Sequence, residues 1–271
     1  NIKGIQLEGM QSDKLKAKFS GESTVINLEK IELKDNVEVN ISDGVEFVAD
    51  EFITQGHNVS ILVSGLSSTV TVENLVVANK NQAELSIDDG ASVKSKFLRL
   101  GESKDASGTL ILQGDKTHLD VFETAYVGSQ GNAAVVLKDN SVFNVNKLVV
   151  AESNSSNSSI RLVSENSIIN ASSIVLSKSG DAQLIIGRGV VISDELILSE
   201  ETGSMSALDL TGGTLKVKPI QKGLGQSTIN LEAGRLIIQE INTSVENNGA
   251  VIAPGQSPGT LTIIGDLNLN S

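Results

Sequence analysis

One short strand recurs every twenty-odd residues along this chain, and no other feature narrows its fold so far. It appears as Leu75-Val-Val-Ala78, Leu98-Arg-Leu-Gly101, Ala125-Tyr-Val-Gly128, Leu148-Val-Val-Ala151, Ile174-Val-Leu-Ser177 and Leu196-Ile-Leu-Ser199. Self-similarity at a fixed period sets the whole architecture. With the fourth residue of each strand as an anchor, the series runs 8, 34, 55, 78, 101, 128, 151, 177, 199, 223, 244 and 270. Eleven repeats of 21 to 27 residues therefore fill the 271-residue chain as one unit, 1–271, with no room for a second domain.

Each repeat holds three alternating segments. A second segment follows the anchor strand, as in Val39-Asn-Ile41, Leu85-Ser-Ile87 or Leu184-Ile-Ile186. An Asp-, Asn- and Gly-rich turn comes next, such as Asp88-Asp89-Gly90, and supplies the positive-φ residues of a tight bend. The third segment, such as Val70-Thr-Val72 or Phe143-Asn-Val145, then leads into the next anchor strand. Alternation over four to six residues marks strands buried on one face. The pattern predicts an all-β, right-handed parallel β-helix of about eleven coils, three short strands to a coil, each pairing with its equivalent one turn on. No single turn hides its inward Val, Leu and Ile; stacked turns share one aliphatic column. A β-sandwich does not account for a three-strand unit repeated in register.

Composition then limits partners. Net charge is −12, which argues against a phosphate-rich nucleic acid and against anionic lipid. No run of eighteen apolar residues exists to cross a bilayer as a helix, so this segment is expected not to insert in a membrane. There is no cysteine, so a secreted chain of this kind carries no disulfide to obstruct passage through a pore. Asn1 opens inside the first repeat and Leu267-Asn-Leu269 stops mid-pattern, the expectation for a segment excised from a longer polypeptide.

The stretch 245–271 carries the most specific motif: Asn248-Gly249-Ala-Val-Ile-Ala-Pro254-Gly255-Gln-Ser257-Pro258-Gly259, an alternating strand, Gly265 and a further strand. It resembles the passenger-associated transport repeat of Gram-negative autotransporters, with Gln256 where that motif usually has asparagine. The preceding repeats resemble the degenerate β-helix of such passengers over the full chain. The resemblance implies a passenger exported across the outer membrane by type V secretion. It also implies a C-terminal outer-membrane barrel in the full-length protein and a C-terminal folding nucleus within the motif. Read as backbone chemistry, Pro254-Gly255 and Pro258-Gly259 are successive turns flanking Ser257. They are expected to form a wide bend between a second strand, Val251-Ile-Ala253, and a third, Leu261-Thr-Ile263.

Catalytic chemistry is hard to find. His57 and His118 lie nearly three turns apart and cannot share a site. Asp43, Asp88, Asp89, Asp115 and Asp139 fall near one bend in different turns, where they serve the turns' own hydrogen bonds better than calcium. The Gly-Asp-Ser-Gly nucleophile sequence of the passenger serine proteases is absent from the chain. No catalytic, cofactor-binding or metal-binding residue is assigned, and the expectation is a non-enzyme without cofactor.

The candidate interaction feature is a ridge. If residues one and three of each anchor strand point inward, residue two faces out, which aligns Ile53, Val76, Arg99, Tyr126, Val149, Val175 and Ile197. An exposed apolar strip suggests docking of another passenger copy or a flanking segment; outward strand positions also favour β-branched residues on propensity alone. The loop Ser153-Asn-Ser-Ser-Asn-Ser158 is expected to protrude, and Lys222 falls on an inward position. Together these features lead to the expectation of a structural or adhesive stalk at the bacterial surface, meeting host surface molecules or another copy of itself. The alternatives are a β-helix polysaccharide hydrolase or lyase, and a fragment of a secreted cytotoxin.

Overall fold

The computed structural model describes residues 2–10, 13–255 and 259–270. Among them the protein is a parallel β-solenoid, in which each strand between the first and last coils pairs with its counterparts one coil before and one coil after. The expected in-register stacking holds residue by residue. Val39, Ile61, Leu85, Leu110, Val135, Ile160, Leu184 and Leu208 form one continuous inward row. All eight are buried. Coils about 4.8 Å apart give a rod on the order of 50 Å long.

The three segments of a coil are built as two elements. A six-residue strand such as Ser107–Leu112 is followed by a nine-residue strand such as Val142–Val150, which joins the third segment to the anchor segment. The long strand bends where two successive residues leave the core, Glu73-Asn74 in Thr69–Val77 and Lys96-Phe97 in Ser92–Leu100. One of the two, in the row Asn74, Phe97, Thr124, Lys147, Ser173 and Glu195, keeps the ladder pairing. The other forms the corner.

The small fourth residue of the repeat has a backbone cause. Ala78, Gly101, Gly128, Ala151, Ser177 and Ser199 all take positive φ, between 50° and 82°. All six are buried, so the position demands a residue that is small as well as left-handed. A Cβ on Gly101 would lie 2.3 Å from the Asn132 carbonyl oxygen. The non-glycine members carry a cost of roughly 1–2 kcal/mol each. It is offset by inter-coil bonds such as Glu102 N–H to Ala78 O and Glu200 N–H to Ser177 O, both 2.9 Å.

At the other bend, buried hydroxyls serve the backbone. Ser68 Oγ accepts from Gly44 N–H, Thr117 Oγ1 accepts from Gly90 N–H, and Ser141 Oγ–H donates to Leu112 O. Three aromatic rings fill the wider core near the N-terminal coils, with Phe47 5.7 Å from both Phe19 and Phe52.

Three expectations are corrected. First, Val251–Pro254 pairs with Arg235–Ile238 and is a third segment, while Thr262–Ile263 pairs with Glu240–Ile241 and is the anchor segment. Leu267–Leu269 stacks on Val245–Asn247 as a second segment, so the last anchor is Asp266 rather than position 270. Second, the serine-rich loop does not protrude. Ser156 and Ser158 are buried and bonded to each other at 3.0 Å, while Ser155 Oγ–H donates to Gln130 O on the coil before. Third, Lys222 is in register with Leu198, yet it is exposed at the end of the short strand Pro219–Lys222, beside the turn through Gly223 and Gly225.

Candidate functional site

The outward row on the anchor face is in register from end to end. Ile53, Val76, Arg99, Tyr126, Val149, Val175 and Ile197 occupy successive rungs. Arg99 lies 5.5 Å from the Tyr126 ring centroid and 5.8 Å from that of Phe97, and its Nε is 3.6 Å from Glu102. The contiguous exposed apolar strip, however, does not exist. Val76, Val149 and Val175 are only 9%, 3% and 2% exposed. These three valines are in register with their row neighbours but present almost no surface. Accessible area is left to Ile53, Arg99, Tyr126 and Ile197, which are partly buried.

A second outward row, polar for most of its length, runs beside it. On the third segment Lys94, Asp120, Asn144, Asn170, Ile192 and Lys216 stack outward in register. Asn144 Nδ2–H donates to Asp120 Oδ1 at 2.7 Å, and Asn170 Nδ2–H donates to Asn144 Oδ1 at 2.8 Å. Each carboxamide has two N–H groups, so one per residue is left after the ladder bond. His118, on the same strand as Asp120, receives no help from it beyond a 4.0 Å approach, and its Nδ1 sits 3.0 Å from Lys116 O.

Beside this row the corner is irregular at one coil. In the neighbouring coils a single residue separates the paired positions, as Lys96 does between Ser95 and Phe97 and Asn146 does between Val145 and Lys147. In His118–Val127 two residues, Phe122 and Glu123, stand between Val121 and Thr124, a bulge that makes this strand ten residues long. Such insertions re-aim side chains. Here Phe122 is 63% exposed in a protein with only 3% aromatic residues. The sequence signal was the extra residue in Val121-Phe-Glu-Thr124.

Phe122, the amide row and the corner residues line an open, shallow cleft of about 440 Å³ that extends to Ile192 and Asp194. Ile192 and Asp194 also line a second hollow of about 310 Å³ that reaches Lys218, Gln239 and Gly255. These last three belong in turn to a third, of about 510 Å³, extending to Thr262. The hollows thus follow one corner across seven rungs, from Asp120 to Ala253, a path of about 30 Å. Asp194 and Lys218 meet at 2.7 Å on this path, an exposed pair of small energetic value.

The Pro-Gly motif singled out in the sequence falls at the end of the same corner. Pro254 closes Val251–Pro254 and Gly255 lines the hollows, while Gly259 lies across from it; Ser257 and Pro258 lie outside the described residues. The wide bend therefore replaces the corner between third and anchor segments, not the bend expected. Among the described residues no three His, Asp or Glu side chains gather closely enough to hold a metal ion. No family model, curated protein or solved structure matches this chain.

Proposed function

We propose that the chain is part of the β-helical stalk of a Gram-negative autotransporter passenger, serving surface display and adhesion or self-aggregation rather than catalysis. The observation that supports it is the union of a cysteine-free solenoid with the Ala-Pro-Gly motif ending at Gly259 in its last coils. A rod of stacked coils is stiff along its axis and presents what lies at one end away from the other. In this reading the full-length protein carries a C-terminal outer-membrane barrel, and the passenger reaches the cell surface or the medium. Its partners are host surface molecules or another copy of the passenger.

Reading the coding region downstream is the test. An amphipathic-strand barrel following this segment is the expected finding, and a frame that closes without one overturns the proposal. The corner cleft, with Asp120 and Asp194 both on its wall, is the observation that favours a polysaccharide hydrolase or lyase instead. Release of new reducing ends from a neutral glucan, or of unsaturated uronates from polygalacturonate, would establish that alternative; flat time courses on both support the stalk.

A further inference from the structure

From the corner cleft we infer a binding site for a neutral, linear oligosaccharide lying along the rod axis. The inference rests on the adhesive reading above and names the class of surface molecule involved.

Four observations lead to it. Phe122 is a large apolar ring raised into solvent by the bulge in His118–Val127, where the coils on either side have none at this corner. An aromatic face is electronegative, and it attracts the C–H bonds on one side of a pyranose ring. Next to it runs the row Asp120, Asn144 and Asn170, whose side chains hold one another at 2.7 and 2.8 Å. That mutual bonding orients the groups in advance and limits the rotamer entropy lost when a ligand is bound. Carboxylate oxygens and spare amide N–H groups, presented at successive rungs, match the alternating acceptors and donors of sugar hydroxyls.

The floor then becomes apolar at Ile192, which is about one-third exposed, so the cleft offers a ring platform, polar rungs and an aliphatic contact in sequence. Its volume, about 440 Å³, is within the range of ligand sites. Charge selects among glycans. Asp120 and Asp194 line this cleft and no lysine or arginine does; Lys218 already pairs with Asp194, so it is chiefly the Asp120 carboxylate that a uronate, sulfate or sialyl group would meet. Backbone recognition of an extended peptide is unsuited to the place, because the strands here already pair on both edges.

Isothermal titration of the whole 271-residue chain with cellohexaose, chitohexaose, maltohexaose and an oligogalacturonate tests the inference. At least one neutral hexasaccharide is expected to bind, with the side-chain amide signals of Asn144 and Asn170 shifting in NMR spectra. Phe122→Ala should weaken that binding tenfold or more. Its ring is exposed, so the far-UV spectrum and unfolding midpoint should stay those of the parent. Asn170→Ala, at the far end of the amide row, should also weaken it severalfold. No binding by any neutral chain at 10 mM (about 3 kcal/mol of affinity), equal binding by the folded Phe122→Ala variant, or preference for the oligogalacturonate would each overturn the site. A missing downstream barrel would leave these titrations unaffected, and a negative titration would leave export untouched.

Discussion

The central coils and the last coil use the same kind of sequence to different effect. Ile160 in Asn157–Leu162 and Leu269 in Leu267–Leu269 are both aliphatic members of alternating segments in the second-strand position. Ile160 has Val135 on one side and Leu184 on the other and is 1% exposed. Leu269 pairs with Asn247 alone and is 68% exposed. Strand lengths follow the same division, six residues for Asn157–Leu162 against three for Leu267–Leu269. In a solenoid, then, an alternating segment is only half of a core; the neighbours on both sides complete it. Stability is a sum over adjacent pairs of coils.

The comparison can be broken at three points. Ile160→Ala should have the largest effect, a loss of about 2–5 kcal/mol, read from urea unfolding followed by circular dichroism. A loss under about 1 kcal/mol would mean that the central coils relax around a cavity instead of sharing a rigid spine. Asn144→Asp should be intermediate. It sets two carboxylates on adjacent rungs at positions 120 and 144, at a cost of about 1 kcal/mol that shrinks as salt is added. A cost independent of ionic strength would show that the lost amide bond, not repulsion, dominates. Leu269→Ala in this 271-residue chain should change stability by less than about 0.5 kcal/mol, as at other exposed sites. A larger loss would show that the last coil is packed as the interior is.

The inward rows were legible because a buried position must be apolar in every coil, and eleven repetitions average out the exceptions. Parallel pairing followed from period alone, since bends this short return each strand beside its predecessor. The repeated small residue was visible as well, although its reason, a buried left-handed turn, belongs to the backbone. Two things escaped for physical causes. Alternation tells which way a side chain points but not how well it is covered, so Val149 and Val175 read as exposed although they are only 3% and 2% accessible. In the last coil the corner between Pro254 and Thr262 has more residues than its counterparts, and a period cannot say which corner has grown; Leu267–Leu269 was therefore given the wrong face. The cleft was missed because one added residue, Phe122 or Glu123, is invisible against repeats that already differ in length by several.

That added residue leaves no trace one step away. Val121 and Thr124 meet Ser95 and Phe97 above and Val145 and Lys147 below, all in step, although the strand between is longer by one. A corner of this rod is thus a place where evolution can edit a single storey without rebuilding the tower. New recognition chemistry can be tried one coil at a time, and a failed trial costs only a local adjustment.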